Sequence, residues 1–577
     1  MTSFIDKNLL GQVLNSSEFK GWLLSRTWFG NKTGLSSLAF EISMSHFEII
    51  SNRIILLVIE IKTPIYAKKY FLPLITYETL YEILEPRENE SKNIIKLTEN
   101  TFSKKFAVFF HDKKEENIIT LNLVEAEYCS FFWRKILFDK KLSENFPLHS
   151  LYLTLFTEQF EDEKNMRNVQ TLIEAALYPD RYEFSLKQIE GTTNNILVQI
   201  NIFNKKTPNL ILSSFVIKSY KSYSPGLETK LLYVLVKNKF PNSPKIYGTI
   251  RFYEKEVIGI LQNMENQGNI GDIFWKEASS MLTQTITKIN ADYSNLQDKE
   301  EVANIIKQNC KESLIVSKHI GLEIKKLHKA LILPEISLYS KEIVNNREFI
   351  DKYAQKLLNI VSKIQNNMNR QEKIAFYTSP KIQTILNHVK DILENYRSAF
   401  SQENITIQPI HQDLHMQKIL YNKLDDEYKF CFIDFEGDPQ LTLEEREQKF
   451  PIEKDLGSFL RSLSYIKFDV LLNFIEKHLI GKEEYRVPQE FLFGLYFTKS
   501  AKISQKDKIL ENILSLLNKW EFSMMNKIFD TSIKVNFPLI SYFTIERALH
   551  ELDYELLYRP NKSIIPILGL KELIERL

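Results

Sequence analysis

The sequence predicts an α+β protein, β-rich over roughly its first 265 residues and mainly helical after that. Two observations carry this. Short β-branched and aromatic runs separated by polar turns fill the first part, and helical spacing of apolar residues sets in from Asn266. A third refines it: the helical part has one β-like interruption, YKFCFIDFEG at 428–437.

Taken in order, FEIISNRIILLVIEI, KYFLPLITY, KFAVFFHD and NIITLNLVEAEY read as strands of an opening domain at 1–150, divided by turns such as EPRENESKN and DKKEEN. A second unit follows at 151–265. Its strands are FSLKQIEG, NILVQINIFNK and NLILSSFVIKSYK, then comes the helix-like LETKLLYVLVKN, then the strands KIYGTIRFYEK and VIGILQNME. The remainder, 266–577, reads as a mainly helical lobe containing the small hairpin.

At 577 residues, 44% apolar and 12% aromatic, the chain has the composition of a folded protein too long for one core. With 75 basic and 73 acidic residues the formal charge is only +2, so no global field recruits nucleic acid or an anionic membrane. A small-molecule partner is expected instead. Cys129, Cys310 and Cys431 lie far apart without C-x-x-C spacing, which argues against a disulfide framework or a zinc site and fits a reducing, cytoplasmic setting. The opening MTSFIDKNLLGQ has no basic segment followed by an apolar run, and IILLVIEI at 54–61 is too short to cross a bilayer.

Phosphoryl transfer needs a positioned hydroxyl, a carboxylate near its proton and cations to offset phosphate charge. The stretch HQDLHMQKIL at 411–420 offers His411 and Asp413; after a short hairpin, FIDFEGDP offers Asp434. This follows the order H-x-D-x-x-x-x-N, hairpin, D-F-G, with Lys418 in the Asn position. Asp413 also suits a helix cap, and Asp434, close to Gly437, Asp438 and Pro439, also suits a turn.

With these residues in view, the chain resembles the maltokinases, including the kinase half of trehalose synthase fusions, among the aminoglycoside phosphotransferase-like kinases. HQDLHMQK and DFEGDP are similar to that family's H-G-D-L-H-L-G-Q and D-F-E-G-E-P. TWFGNK at 27–32, YFLPL at 70–74, VIKSYKSYSPG, FPNSPKIYG, ILQNMENQG, DLGSFLRSLSY and IERALHELDYELLYRPNKSIIPILGL resemble further family segments in the same order, over nearly the whole chain. The resemblance implies a bilobal protein-kinase-like fold: an N-terminal β-rich cap subdomain, a small β-sheet N-lobe and a mainly α-helical C-lobe.

It also implies an ATP- and Mg²⁺-dependent kinase that converts maltose to maltose 1-phosphate, with any trehalose synthase or maltosyltransferase partner on another chain. Lys218 would contact nucleotide phosphates with Glu228 as its ion-pair partner, and Gln262 and Met264 would lie in the adenine hinge. Asp413 would orient or deprotonate the sugar hydroxyl, supported by His411. Asp434 would bind magnesium with Glu436. Arg547, His550, Glu551, Tyr554 and Glu555, at helical spacing, would face the sugar; Leu549, Leu552 and Leu556 of the same stretch equally mark an ordinary core-facing helix. Lys418 matches the family's metal-binding glutamine, and an ammonium only donates. Three outcomes follow: Gln417 takes over as ligand, Lys418 meets phosphate beside a single metal, or catalysis is weakened. An amino-sugar kinase acting on glucosamine and a pseudokinase that only binds are the alternative functions.

Overall fold

The computed structural model describes residues 7–29, 40–50, 53–62, 67–77, 106–111, 118–138, 150–157, 160–189, 194–224, 226–291, 299–370, 375–399, 404–425, 427–439, 441–478, 488–497, 505–530 and 536–576. The turns EPRENESKN and DKKEEN, residues 30–32 of the TWFGNK stretch and Pro225 lie outside them. The fold is α+β. It divides into two compact units, 1–237 with 244–264, and 238–243 with 265–577.

In the first unit, helices α1 (Lys7–Asn15) and α2 (Ser17–Ser25) precede strands β1 (Glu41–Ile50), β2 (Ile54–Lys62), β3 (Ala67–Thr76), β4 (Phe106–His111) and β5 (Ile118–Glu125). These strands form an antiparallel sheet in the order β1-β2-β3-β5-β4. The near-continuous apolar run of β2 is explained by burial of both its faces. Helix α3 (Ser130–Leu137), strand β6 (Leu151–Leu155), helix α4 (Glu163–Leu177) and strands β7 (Tyr182–Gln188), β8 (Ile196–Asn204) and β9 (Thr207–Ser219) follow. Helix α5 (Leu227–Lys237) then leads to β10 (Ile246–Phe252) and β11 (Lys255–Gln262). Strands β6 to β11 make a six-stranded sheet in the order β6-β10-β11-β9-β8-β7.

The two sheets share one apolar core running from Leu10 to Ile260. Charge is buried with it. The Lys221 ammonium meets Glu127 and lies 3.7 Å from Glu125, which also accepts from Arg26 at 3.1 Å and from the Trp28 indole at 2.6 Å. Burial pushes the Glu127 carboxyl up, against the pull of Lys221. The network ties β5 and the following turn to the end of β9, so Trp28 of the TWFGNK stretch serves as a donor to a buried acid.

The second unit holds helices α6 (Ile270–Ala291), α7 (Lys299–Asn309) and α8 (Lys311–Ala330), strand β12 (Glu342–Asn345), and helices α9 (Asn346–Arg370) and α10 (Pro380–Ala399). Strand β13 (Asn404–Ile407) and the hairpin β14 (Ile419–Leu424) and β15 (Glu427–Phe432) follow, then α11 (Leu443–Arg446) and α12 (Glu453–His478). Helices α13 (Pro488–Phe497), α14 (Gln505–Phe529), α15 (Phe537–Tyr558) and α16 (Ile564–Arg576) complete it. The hairpin is not the only β structure here: β12 pairs antiparallel with β13. Four-residue strands so far apart in sequence leave no readable alternation.

Helices α12 and α15 pack along one another, and Gly457 makes the close approach possible. A Cβ there would stand 2.9 Å from both the Ile540 carbonyl oxygen and the Thr544 amide nitrogen. Asn536 caps α15, its side chain accepting from the Leu539 amide at 3.2 Å. Leu549, Leu552 and Leu556 are buried, so the apolar stripe of α15 is indeed a core face. Its other faces are left for polar groups.

Candidate functional site

The loop that follows β13 is fixed from below by a single carboxylate. Asp455, in the first turn of α12, accepts from the His411 amide at 2.9 Å and the Gln412 amide at 2.8 Å, and its Oδ2 also meets His328 Nε2 at 2.9 Å. Gln412 has φ +68°. That is left-handed backbone that favours glycine, and here the Gln412 side chain is bound in compensation, donating to the Arg446 carbonyl at 2.6 Å. His411 donates through Nε2 to the Ile433 carbonyl at 3.0 Å, and its ring packs on Phe435 at 4.7 Å. His411 is thus a buried strut between the loop and the strand end.

The hairpin then returns the chain to the same place. Ile433 donates its amide to the Lys418 carbonyl at 2.9 Å, and the next residue, Asp434, has φ +69°. Lys418 Nζ forms an ion pair with Asp434 and lies 3.8 Å from Asp413 Oδ2. Two acids far apart in sequence therefore flank one ammonium. On its other side Asp413 Oδ1 accepts from Arg547 at 2.6 Å, and His415 Nε2 stands 3.7 Å from Oδ2. Burial alone would raise the Asp413 carboxyl, but Arg547, then His415 and Lys418, hold it well below the usual carboxylate range. Burial conversely lowers His415, more than Asp413 raises it.

Of the α15 residues expected to face a sugar, Arg547 reaches Asp413, and its Nε lies 3.7 Å from Glu551. Glu551 also pairs with the fully buried Arg461 at 2.9 Å. Burial raises the Glu551 carboxyl in spite of both guanidiniums. Glu555 accepts from the Tyr465 hydroxyl at 2.8 Å and from Arg559 at 2.6 Å. Tyr554 is 44% exposed, its ring 4.7 Å from that of Tyr558. His550 is buried, with Nδ1 3.5 Å from Asp438.

Asp438, Glu546 and His550 are, among the described residues, the one cluster of three side chains able to hold a metal ion. Lys454 already meets their charge, 2.8 Å from Glu546 and 3.6 Å from Asp438. The expected magnesium ligands fare no better. Gln417 is exposed, Glu436 is half-buried, and the ammonium of Lys418 is the group that reaches Asp434. Magnesium demands near-octahedral oxygen donors, and an ammonium offers none. This donor set does not fit a pair of divalent ions.

In the first unit, Lys218 on β9 and Glu228 on α5 form a buried ion pair at 2.9 Å, and Glu228 also accepts from the Tyr220 hydroxyl at 2.9 Å. Gln262 closes β11, its amide donating to the Lys245 carbonyl at 2.8 Å and its side chain accepting from the Lys245 amide at 3.2 Å. Met264 is the last residue of that unit and is half-buried. Sequence reasoning missed Asp455, His415, Arg461, Lys454 and Asp438. The stretch DLGSFLRSLSY contains Asp455 and Arg461, and an acid in the first turn of a helix was the available signal.

No family model matches the chain. Among solved structures it is similar to a glucosamine kinase in complex with glucosamine, ADP and inorganic phosphate, with 10% identity over 96% of each chain and a TM-score of 0.45. It is also similar to a Plasmodium vivax ethanolamine kinase, with 14% identity over 72% of this chain and 89% of that one and a TM-score of 0.30. A thermostable mutant of aminoglycoside phosphotransferase APH(4)-Ia matches at 9% identity over 68% of this chain and 95% of that one, with a TM-score of 0.30. At such low similarity, function has to be read from the chain's own residues.

Proposed function

We propose that the protein is an ATP-dependent phosphotransferase acting on a sugar hydroxyl, with maltose as the favoured acceptor and maltose 1-phosphate as product. The observation that carries this reading is the hairpin-driven meeting of Asp413 and Asp434 around Lys418. It supports the reading because a carboxylate suited to an acceptor hydroxyl then stands close to a second acid and a cation.

In this reading Asp413 accepts a hydrogen bond from the sugar hydroxyl and orients its oxygen. A carboxylate held so far below its ordinary range is a weak base, so its first task is positioning; it takes the hydroxyl proton as the bond from the sugar oxygen to the γ-phosphorus of ATP forms and the bond from that phosphorus to the bridging oxygen breaks, releasing ADP. Asp455 keeps the loop backbone fixed while this happens. Lys218, held by Glu228, is the cation for the nucleotide phosphates, and Gln262 and Met264 belong to the adenine-binding segment. The division at 150 and 151 into a cap and a nucleotide-binding sheet is part of the same proposal.

The polar face of α15 supports a neutral acceptor over an amino sugar. Asp413, Glu551, Glu555 and Asp438 each already meet a resident cation or histidine. An incoming ammonium would have to displace one of these, whereas a polyol can hydrogen-bond to the pairs as they stand. Tyr554 adds an exposed ring for the apolar face of a sugar.

The test is ADP release with ATP and Mg²⁺ over a panel of maltose, glucose, glucosamine and trehalose. Turnover on maltose alone is expected. Turnover on glucosamine alone would move the assignment to an amino sugar, and ATP binding without turnover on any sugar would end the enzymatic reading. Asp413→Asn is expected to abolish turnover while ATP binding persists; retained turnover would remove Asp413 from its role.

A further inference from the structure

We propose that Arg461 is a positioning residue for Asp413, acting through Glu551 and Arg547, and that the close approach of Gly569 sets where its guanidinium stands. The inference rests on the phosphotransferase reading above, in which Asp413 orients the acceptor hydroxyl, and concerns what holds Asp413 in place.

Four side chains form one chain of alternating charge inside the second unit. Asp413 Oδ1 accepts from Arg547 Nη1 at 2.6 Å. Glu551, one turn further along α15, lies with Oε1 3.7 Å from Arg547 Nε and with Oε2 2.9 Å from Arg461 Nη2. Each carboxylate oxygen of Glu551 therefore faces a different guanidinium. Arg547 is braced on two sides, through its terminal nitrogen by Asp413 and through Nε by Glu551. Arg461, on α12, is the far end of the chain and has no exposed surface.

Stability alone gives little reason for a cation in that place. Arg461 Nη1 donates to the Ser464 hydroxyl at 2.9 Å and the Tyr465 ring lies 5.8 Å from Cζ, yet among the described residues Nε and Nη2 find no hydrogen-bond partner. A buried guanidinium so incompletely bonded is costly, and an apolar side chain of similar volume would fill the space without desolvating a charge. What Arg461 supplies is positive charge beside Glu551. Burial raises the Glu551 carboxyl against Arg461, Arg547 and Arg559, and Arg461 gives the strongest of the opposing pulls. Without it Glu551 moves further toward the neutral acid, which attracts Arg547 Nε less and leaves Arg547 braced at Asp413 alone.

Helix α16 completes the arrangement. A Cβ at Gly569 would stand 2.9 Å from Arg461 Cζ and Nη1 and 3.1 Å from Nη2, so the backbone of α16 lies directly against the guanidinium. Gly569→Ala would thus push the charged group aside without removing it.

The experiment is steady-state ADP release by the full chain, with ATP, Mg²⁺ and the panel sugar that the wild type turns over, together with thermal unfolding. The variants are Arg461→Met, Arg461→Lys, Gly569→Ala and the double variant Arg461→Met/Glu551→Gln. Arg461→Met is expected to lower kcat about tenfold with KM for ATP and sugar within about twofold of wild type, and Gly569→Ala to lower kcat about threefold. Arg461→Lys, which keeps the charge beside Glu551, should recover most of the loss. The double variant removes both charges of the buried pair, so its Tm should be at least that of Arg461→Met while its kcat stays low. Recovery of kcat along with Tm in the double variant would overturn the proposal, because Arg461 would then act only through stability. So would a raised sugar KM with unchanged kcat in Arg461→Met, or equal losses in the Met and Lys variants. If Arg461→Met fails to fold, a wild-type kcat in the double variant or in Gly569→Ala overturns it. All these outcomes leave the phosphotransferase reading standing. A wild type that turns over no sugar of the panel would overturn that reading and this inference together.

Discussion

Asp455 has no direct claim on a substrate, yet three groups converge on its carboxylate: the amides of His411 and Gln412 and the ring of His328. All are buried, so removing the acceptor leaves three donors unsatisfied. Asp455→Ala is expected to cost about 3 kcal/mol in denaturant unfolding and to lower turnover further than stability alone accounts for. Asp455→Asn, which keeps one acceptor oxygen, should fall between the two proteins. At this scale the sequence showed the acids and the odd lysine plainly, because H-x-D and D-F-E are carried by side-chain identity. It hid Asp455 because its main partners are backbone amides, which leave no mark on a residue pattern. It also hid the left-handed backbone at Gln412 and Asp434, since neither is a glycine.

Elements bring these residues together, and the crossing of α12 with α15 matters most. Asp455 is on the first and Arg547 on the second, so the distance between the helices sets how Arg547 meets Asp413. Gly457→Ala would force them apart at the Ile540 carbonyl. A loss of about 1–3 kcal/mol is expected, checked by thermal unfolding, together with a KM for sugar that rises more than kcat falls. The long helices were readable from apolar spacing, and so was the hairpin from its alternation. The β12–β13 pair was not, because the evidence for it is a contact between segments separated by two helices. The stripe of α15 supported both readings offered for it, since one helix buries leucines and presents arginine and glutamate on another side.

At the scale of the whole molecule, the chain end is bound into the second unit by charge. Lys467 of α12 pairs with Glu521 of α14 at 2.8 Å and with Glu572 of α16, and Arg576 reaches Glu521 at 2.9 Å. Burial would raise the Glu521 carboxyl, but Lys467 and Arg576 lower it overall. A depressed folded-state value means the pair stabilises fully above the unfolded carboxyl value of about 4.3 and is lost as pH falls through the folded one. Glu521→Gln is therefore expected to lower Tm at pH 7 and to flatten the fall of Tm in more acidic buffer. An unchanged acid profile would show that other carboxylates govern it. Among the described residues no helix is long and apolar enough to cross a membrane.

The short excursion 238–243 has a consequence for how the protein is made. It belongs to the second unit, where Asn238 donates to the Ala330 and Ile332 carbonyls at 2.8 Å each and Asn242 accepts from the Phe432 amide at 2.8 Å. The first unit is therefore unfinished when its opening 237 residues have been synthesised, because β10 and β11 belong inside its six-stranded sheet. Until those strands leave the ribosome, the edges of β9 and β6 stand open to unwanted pairing. The residues between are turned over to a partner unit whose own contacts lie up to some two hundred residues further along the nascent chain. Folding of this protein is thus a matter of waiting, with a sheet held incomplete during translation and a six-residue stretch whose partners Ala330, Ile332 and Phe432 are made only later.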